Sequence, residues 1–290
     1  MRITNSLLQS RILRDLQGNL SSLSQAQSQI SSGKRFEKVS EDPIAGASVM
    51  TSDRGLRGIG QYRRNSASAR TRTDAEEAVL DQLTDLLTRA KQLAVQEGSA
   101  TSTPTTRAGA KSEVDRIIEQ VVSLGNTKVG SEYLFAGHLV SGPAFDAAGG
   151  YLGDDGQRQS EIGEGYLITT NHTGRELLTN SGIMTGLKSL STQLGTGTPA
   201  TIAGTLTALD TAFTNTQTLL ATTGARVGQI DSAMQNSDAL STNLTLRRSR
   251  DIDTDIEEAS TRLISLQTTL QASLQAASRI LNTTLTDYLR

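Results

Sequence analysis

Residues 265–290 read SLQTTLQASLQAASRILNTTLTDYLR, with neither proline nor glycine. Taken with the residues just before it, the stretch carries apolar side chains at Ala259, Leu263, Leu266, Leu270, Leu274, Ala277, Leu281 and Leu285. Gaps of three and four residues put them on one stripe of an α-helix. Ala259, Leu270 and Leu281 stand eleven apart, as do Leu263, Leu274 and Leu285. That repeat predicts a nearly straight or slightly right-handed supercoil. The other face is Gln, Ser and Thr with little charge. Coiled-coil surfaces that face water more often carry Glu and Lys, so this face suits contact with other protein in a crowded assembly.

Such a stripe needs something to pack against, and the first thirty residues offer it. Leu13, Leu16, Leu20, Leu23 and Ile30 lie on a three–four spacing, with Gln27 at the missing position, and Ile3 and Leu7 extend the apolar character. Both ends of the chain therefore read as amphipathic helices with a single stripe each. Pairing them in a coiled coil is the economical arrangement. Two ordinary core helices of a bundle would show the same periodicity.

Composition favours long helices with narrow seams. Of 290 residues only 3% are aromatic and none is Trp, which argues against a large core of the usual kind. The formal charge of -2 gives no general pull towards nucleic acid or anionic membrane. Without cysteine there are neither disulfides nor thiolate metal sites. No run approaches the roughly 20 apolar residues of a membrane span. MRITNSLLQSRILRDL lacks the apolar core and small-residue cleavage site of a secretory signal.

Along the chain the texture changes twice. Residues 1 to about 130 read as helices, interrupted by SSGKRFEKVSEDPIAGA (31–47), where Ser40 to Asp42 offer caps for a helix starting near Pro43. Helical stripes follow over 66–97 and 111–128, with a loop at 97–110. SEYLFAGHLVSGPAFDAAGGYLGDDGQRQSEIGEGYLITTNHTGRELL (131–178) holds most of the aromatic residues, and short apolar runs are separated by GG, GDDG and GEG. Those are turn signals between strands. So small an insert is marginal alone and leans on its flanking helices. Helix resumes near 183, a loop covers 195–205, and a long helix beginning near Leu206 turns around TTGARVG (222–228). The expected fold is mainly α: an elongated multi-helix coiled-coil bundle, a β-rich insert at the tip, and both termini at the opposite pole. Its expected domains are paired terminal helices at 1–42 and 250–290, a helical rod at 43–130 and 181–249, and a β-rich insert at 131–180.

At the level of motifs, QISSGKRFEKVSEDPIAGA (29–47) resembles the amino-terminal signature of the flagellin superfamily, and RDIDTDIEEASTRLISLQTTLQASLQAASRILNTTLTDYLR (250–290) resembles its carboxy-terminal partner. SEDPIAGA in place of a DDAAG-like run, the TLTDYLR end, and the insert residues SEYLFAGHLVSGPAF, YLGDDGQ and NHTG resemble the hook–filament junction members. The resemblance spans essentially the whole chain. It implies a structural adaptor joining hook to filament and needed for motility, with filament flagellin as the nearest alternative. It further implies terminal helices that are unfolded in the free monomer and pair on assembly. Leu13, Leu16, Leu20, Leu23 and Ile30 would then face Leu263, Leu266, Leu270, Leu274, Leu281 and Leu285. Implied partners are copies of the chain in a ring layer, the preceding hook-associated junction protein, flagellin and an export chaperone. The implied location is the extracellular flagellum, reached without a cleaved signal.

Chemical readings are weaker. His138 and His172 are the two histidines, both in the insert. They read as loop residues rather than ligands or a catalytic base, and no cofactor or metal is expected. GDDG (153–156) reads as a β-turn, lacking the spaced ligands of a calcium loop. DIDTDIEE (251–258) reads as helical, near an end where acids suit the dipole. DRGLRGIGQYRRNSASARTR (53–72) carries Arg54, Arg57, Arg63 and Arg64, with Arg70, Arg72 and Tyr62. A coiled-coil nucleic-acid or regulatory module is the rival from another class. Arginine also pairs well with carboxylates at interfaces, so an inter-subunit charge patch is favoured, or internal pairing with acids such as Asp74, Glu76, Glu77, Asp81 and Asp85.

Overall fold

The computed structural model describes the backbone of residues 2–288 and the side chains of residue 7 and of 10–279. In order, the elements are α1 (Arg2–Ser32), α2 (Pro43–Glu97), α3 (Pro104–Gly125), β1 (Lys128–Val129), β2 (Glu132–Tyr133), β3 (Gln159–Gly163), β4 (Tyr166–Thr169), a π-helical turn (Arg175–Asn180), α4 (Ile183–Thr196), α5 (Pro199–Gly204), α6 (Leu206–Ile252) and α7 (Ile256–Tyr288). The protein is mainly α, and its two sheets are antiparallel pairs, β1 with β2 and β3 with β4. The chain forms two units, residues 1–57 with 241–290 and residues 58–240, and α2 and α6 contribute residues to both.

In the second unit, α2 and α6 run antiparallel, joined by Arg63–Asp238, Arg70–Asp231 and Lys91–Asp210. Their inward positions follow a 4–3 rhythm. On α2 these are Ala69, Thr73, Glu76, Leu80, Leu83, Leu87, Ala90 and Ala94, all buried. On α6 the buried series is Leu209, Ala212, Thr216, Thr223, Ile230, Ala233 and Ser237. That series crosses residues 222–228 without a break, which corrects the expected turn there. Gly224 and Gly228 each cost about 1 kcal/mol in a helix, and burial of the stripe on both sides of them offsets it.

Two other boundaries differ from the sequence reading. Helix α3 starts at Pro104, inside the expected loop, because Thr103 caps it: its hydroxyl accepts from the Thr106 N–H, while the Thr106 hydroxyl accepts from the Thr103 N–H. Thr198 and Thr201 repeat this at α5, within the second expected loop. In both cases a proline takes the first helical position, where a missing N–H does no harm.

The insert shares its core with the helices. Leu134, Phe135, Ala144 and Phe145 pack with Val121 and Val122 of α3, with Leu177 and Leu178 of the π-helical turn, and with Ile183 and Leu187 of α4. Close approach at Gly125 makes this possible, since a Cβ there would sit 2.7 Å from the Phe145 ring. The β3–β4 hairpin docks separately, through Ile162 and Ile168 on Ala69, Ile230 and Ala233.

Candidate functional site

In the first unit the two terminal helices meet. A reversal built from both ends of the sequence fixes their register. Gly33 takes φ +68°, which a side-chain-bearing residue adopts only under strain, and its carbonyl accepts from the Thr254 N–H at 2.9 Å. The Arg35 N–H donates to the Ile252 carbonyl at 2.7 Å, and Lys34 bridges Asp253. Asp255 then caps α7, its Oδ1 accepting from the Glu257 and Glu258 N–H groups. Glu257 and Glu258 in the first turn suit the positive end of the helix dipole. From this clasp α1 and α7 run antiparallel, and farther along the Asn19 amide donates to the Ser273 hydroxyl at 3.3 Å.

The inward rows are narrower and smaller than the leucines suggest. On α1 the covered positions are Ile12, Leu16, Asn19, Leu23, Ala26 and Ile30, and on α7 they are Ala259, Leu263, Leu266, Leu270, Ser273 and Ala277. Both rows keep a 4–3 rhythm, the pattern of a coiled-coil seam. Ala26, Ala259 and Ala277 are its most buried members, at 2%, 6% and 6% exposure. Small side chains let the helices approach but bury little apolar area.

Leu16, Leu23, Ile30, Leu263, Leu266 and Leu270 thus lie half-buried between the helices. Leu13, Leu20 and Leu274 do not: they are 60%, 53% and 51% exposed. Leu281 and Leu285 lie outside the described side chains. Ile264, 63% exposed, adds to the uncovered apolar surface. The pair therefore has two apolar aspects, one closed within the chain and one open.

The arginine-rich stretch divides. Arg63 pairs with Asp238 at 3.3 Å, and Arg64 donates to the Gln61 side chain. Arg70 is held by Asp74 and Asp231, which raise its pKa from the ordinary value, Asp231 most. Asp238 and Asp231 come from α6, and Asp74 is one of the acids expected farther along α2. Arg54 and Arg57 are exposed and make no ion pair among the described residues.

In the second unit a buried polar node escaped the sequence reading. Glu76 of α2 is fully buried, and its Oε1 accepts from the His172 N–H at 2.9 Å and meets His172 Nδ1 at 2.7 Å. His172 is itself 5% exposed. One turn before Glu76, Arg72 pairs with Glu132 at 3.0 Å, and Arg158 reaches the same carboxylate at 2.7 Å. Burial pushes the Arg72 guanidinium down from its ordinary value, and Arg158 adds to that, against Glu132 and Glu76. The node ties insert residues 132, 158 and 172 to α2. A closed site of this kind positions backbone and offers no substrate a way in. Glu132 and His172 lie 60 and 96 residues from their α2 partners Arg72 and Glu76 in sequence, so no local pattern announces them.

The remaining insert motif organises a turn. Asp154 of GDDG accepts from the His138 N–H at 2.6 Å and from the Gly156 N–H at 3.0 Å. These backbone donors, His138 foremost, hold its carboxyl below the usual range. Among the described residues no three His, Cys, Asp or Glu side chains gather as a metal site, and no helix is long and apolar enough to cross a membrane.

Comparison with known proteins places this geometry. Residues 3–139 match the bacterial flagellin N-terminal helical region, and residues 206–289 match the bacterial flagellin C-terminal helical region. Flagellar hook-associated protein 3 of Salmonella typhimurium is 26% identical over 61% of this chain and 56% of its own length. The match thus spans little more than half of that relative. A flagellar hook-associated protein from Vibrio parahaemolyticus shares the fold at a TM-score of 0.65 and 21% identity, over 74% of this chain and 99% of that one. The flagellar junction protein FlgL from Legionella pneumophila does so at 0.60 and 15%, over 71% and 100%.

Proposed function

The chain belongs to the bacterial flagellin family, and from that premise we propose that it is a structural subunit of the flagellum, a junction adaptor joining hook to filament. One observation carries the reading: the paired terminal helices close a narrow seam of alanines and half-buried leucines and leave Leu13, Leu20, Ile264 and Leu274 uncovered. A surface of this kind is completed by neighbouring copies. Likeness to hook-associated protein 3 supports the junction role over that of filament flagellin.

The seam of α1 and α7 also suits helices that order on assembly. Fixing each residue costs about 1–2 kcal/mol in backbone entropy, and a row of alanines and half-buried leucines returns little of it in one copy alone. Neighbours that cover the outer leucines tip the balance. On this reading the terminal helices are unfolded in the free monomer, a form compatible with passage through a narrow export channel to the extracellular flagellum, in the care of a chaperone. The partners are other copies in a ring layer, the preceding hook-associated junction protein below, and flagellin above. The role is structural, without catalysis.

Deletion and complementation test it. Cells lacking the chain should build hooks but no attached filaments, and the wild-type gene should restore motility. Purified chain added to hook–basal bodies carrying the preceding junction protein should add a short zone and stop, as seen by electron microscopy. Long continuous filaments of this chain alone would make it a flagellin. A motile deletion strain with normal filaments would overturn the flagellar role.

A further inference from the structure

The exposed face of α2 in the first unit changes character along its length. Ile44, Ala47, Met50, Arg54 and Arg57 recur three or four residues apart and are all exposed. The opposite face is closed by Ala45 and Val49, which pack with Phe36 and Ile252. Ile44 is 86% exposed and Met50 55%, so two large apolar side chains share one exposed row. Arg54 and Arg57 continue the same row, and no carboxylate stands on it.

The start of α7, in the same unit, presents the complementary chemistry. Asp253, Asp255, Ile256, Glu257 and Glu258 are all exposed, Ile256 at 59%. Asp253 accepts from Ser249, and Asp255 caps the helix. Glu257 and Glu258 hold no cation among the described residues. The helix dipole accounts for acids at this position, but not for a large apolar side chain left exposed among them.

We propose that these surfaces are the two halves of one contact between neighbouring copies: the Ile44–Met50–Arg54–Arg57 face of one copy receives Ile256, Glu257 and Glu258 of the next. The proposal rests on the flagellar reading and names a contact within it. Charge complementarity selects a second copy as the occupant, because a chain of formal charge -2 offers both an unpaired basic row and an unpaired acidic one, each beside an exposed apolar anchor. Two different patches meeting head to tail make a heterologous contact, which propagates from copy to copy as a ring or helical layer requires. The isoleucines and Met50 supply buried area. The charges set register and reject the reversed pairing.

A charge swap tests this in a strain deleted for the chain. It is complemented in turn with wild type, with Arg54→Glu/Arg57→Glu, with Glu257→Arg/Glu258→Arg, and with all four changes together. The readout is the amount of chain retained on sheared flagella. Each reversal sets like charges against each other and should lower retention about tenfold or more, the equivalent of a modest loss in contact affinity. The fourfold variant faces opposite charges again and should recover to near wild type, which also shows that the substitutions leave the fold intact. Wild-type retention by either reversal overturns the contact. Loss in both with no recovery in the fourfold variant overturns it too. If wild type itself restores no filaments, the flagellar reading falls, and this contact with it. A second readout uses the absence of native cysteine. Chains carrying Met50→Cys and Ile256→Cys should give an oxidative ladder of dimers and longer species on flagella, and flagella that hold this chain without a ladder refute the pairing.

Discussion

Replacing Leu20 by Asp should leave the isolated chain nearly as stable as wild type and abolish its incorporation into flagella. Leu20 is 53% exposed on the outer aspect of α1, and α1 is unordered in the free chain on the reading proposed above, so the substitution costs the isolated chain little. Surface changes of this sort usually stay within about 0.5 kcal/mol. Assembly is different. Full burial of a leucine side chain contributes about 1.5–3 kcal/mol, and roughly half of that is still uncollected here. An unpaired carboxylate held in the same dry contact costs about 3–5 kcal/mol. The sum is about 4 kcal/mol or more per copy, close to a thousandfold in contact affinity. The assay is an immunoblot of sheared flagella and culture supernatant, with thermal melts of the purified chains. Leu20→Asp should appear in the supernatant and be missing from flagella, with an unchanged melt. Gln25→Asp, at an exposed polar position away from Leu20, should assemble as wild type. Normal incorporation of Leu20→Asp would show that the outer leucines are not an interface.

Four further outcomes follow from the geometry. Limited proteolysis of the free chain should trim both ends to a core of about residues 45–250, and full-length resistance in dilute solution would contradict ordering on assembly. Glu76→Ala strips His172 and Arg72 of a buried carboxylate and should cost about 3–5 kcal/mol, read as a melt lowered by about 6–20 °C; a shift under 2 °C would dissolve the node as a structural tie. Gly125→Ala pushes a methyl into the Phe145 ring and should destabilise by about 1–3 kcal/mol, measured by urea unfolding. Asp115 is held below its ordinary value by Lys111 first and then by Ser191. A carboxylate depressed in the folded state adds stability above its unfolded pKa and loses it as pH falls through the folded one. Asp115→Asn should therefore flatten the loss of stability below about pH 4, and melts from pH 6 down to 2.5 would detect it.

Helix type and chain punctuation were legible in the residues. The 3–4 spacing of apolar side chains near each end, the capping run before Pro43, and the glycine-separated apolar runs of the insert each follow from contacts within a few residues. Such signals give period, not partner. Leu13 and Leu16 are equally apolar and sit on neighbouring faces of one turn, so spacing alone could not say that Leu16 turns inward and Leu13 outward. That choice depends on the clasp at Gly33, Ile252 and Thr254, which joins residues more than two hundred positions apart and sets the rotation of both helices. Ala26 carries no such signal for the same reason: an alanine becomes a seam residue only when another backbone comes close enough to need one. Glu76 and His172 form their bond across 96 positions, and each looks ordinary in its own neighbourhood. Glycines 224 and 228 read locally as a turn, yet the helix continues, because burial on α2 outweighs a local preference of about 1 kcal/mol per residue. Period and breakpoints are local properties of a polypeptide, whereas the direction a helix faces and the partner a buried charge finds depend on where the rest of the chain comes to lie.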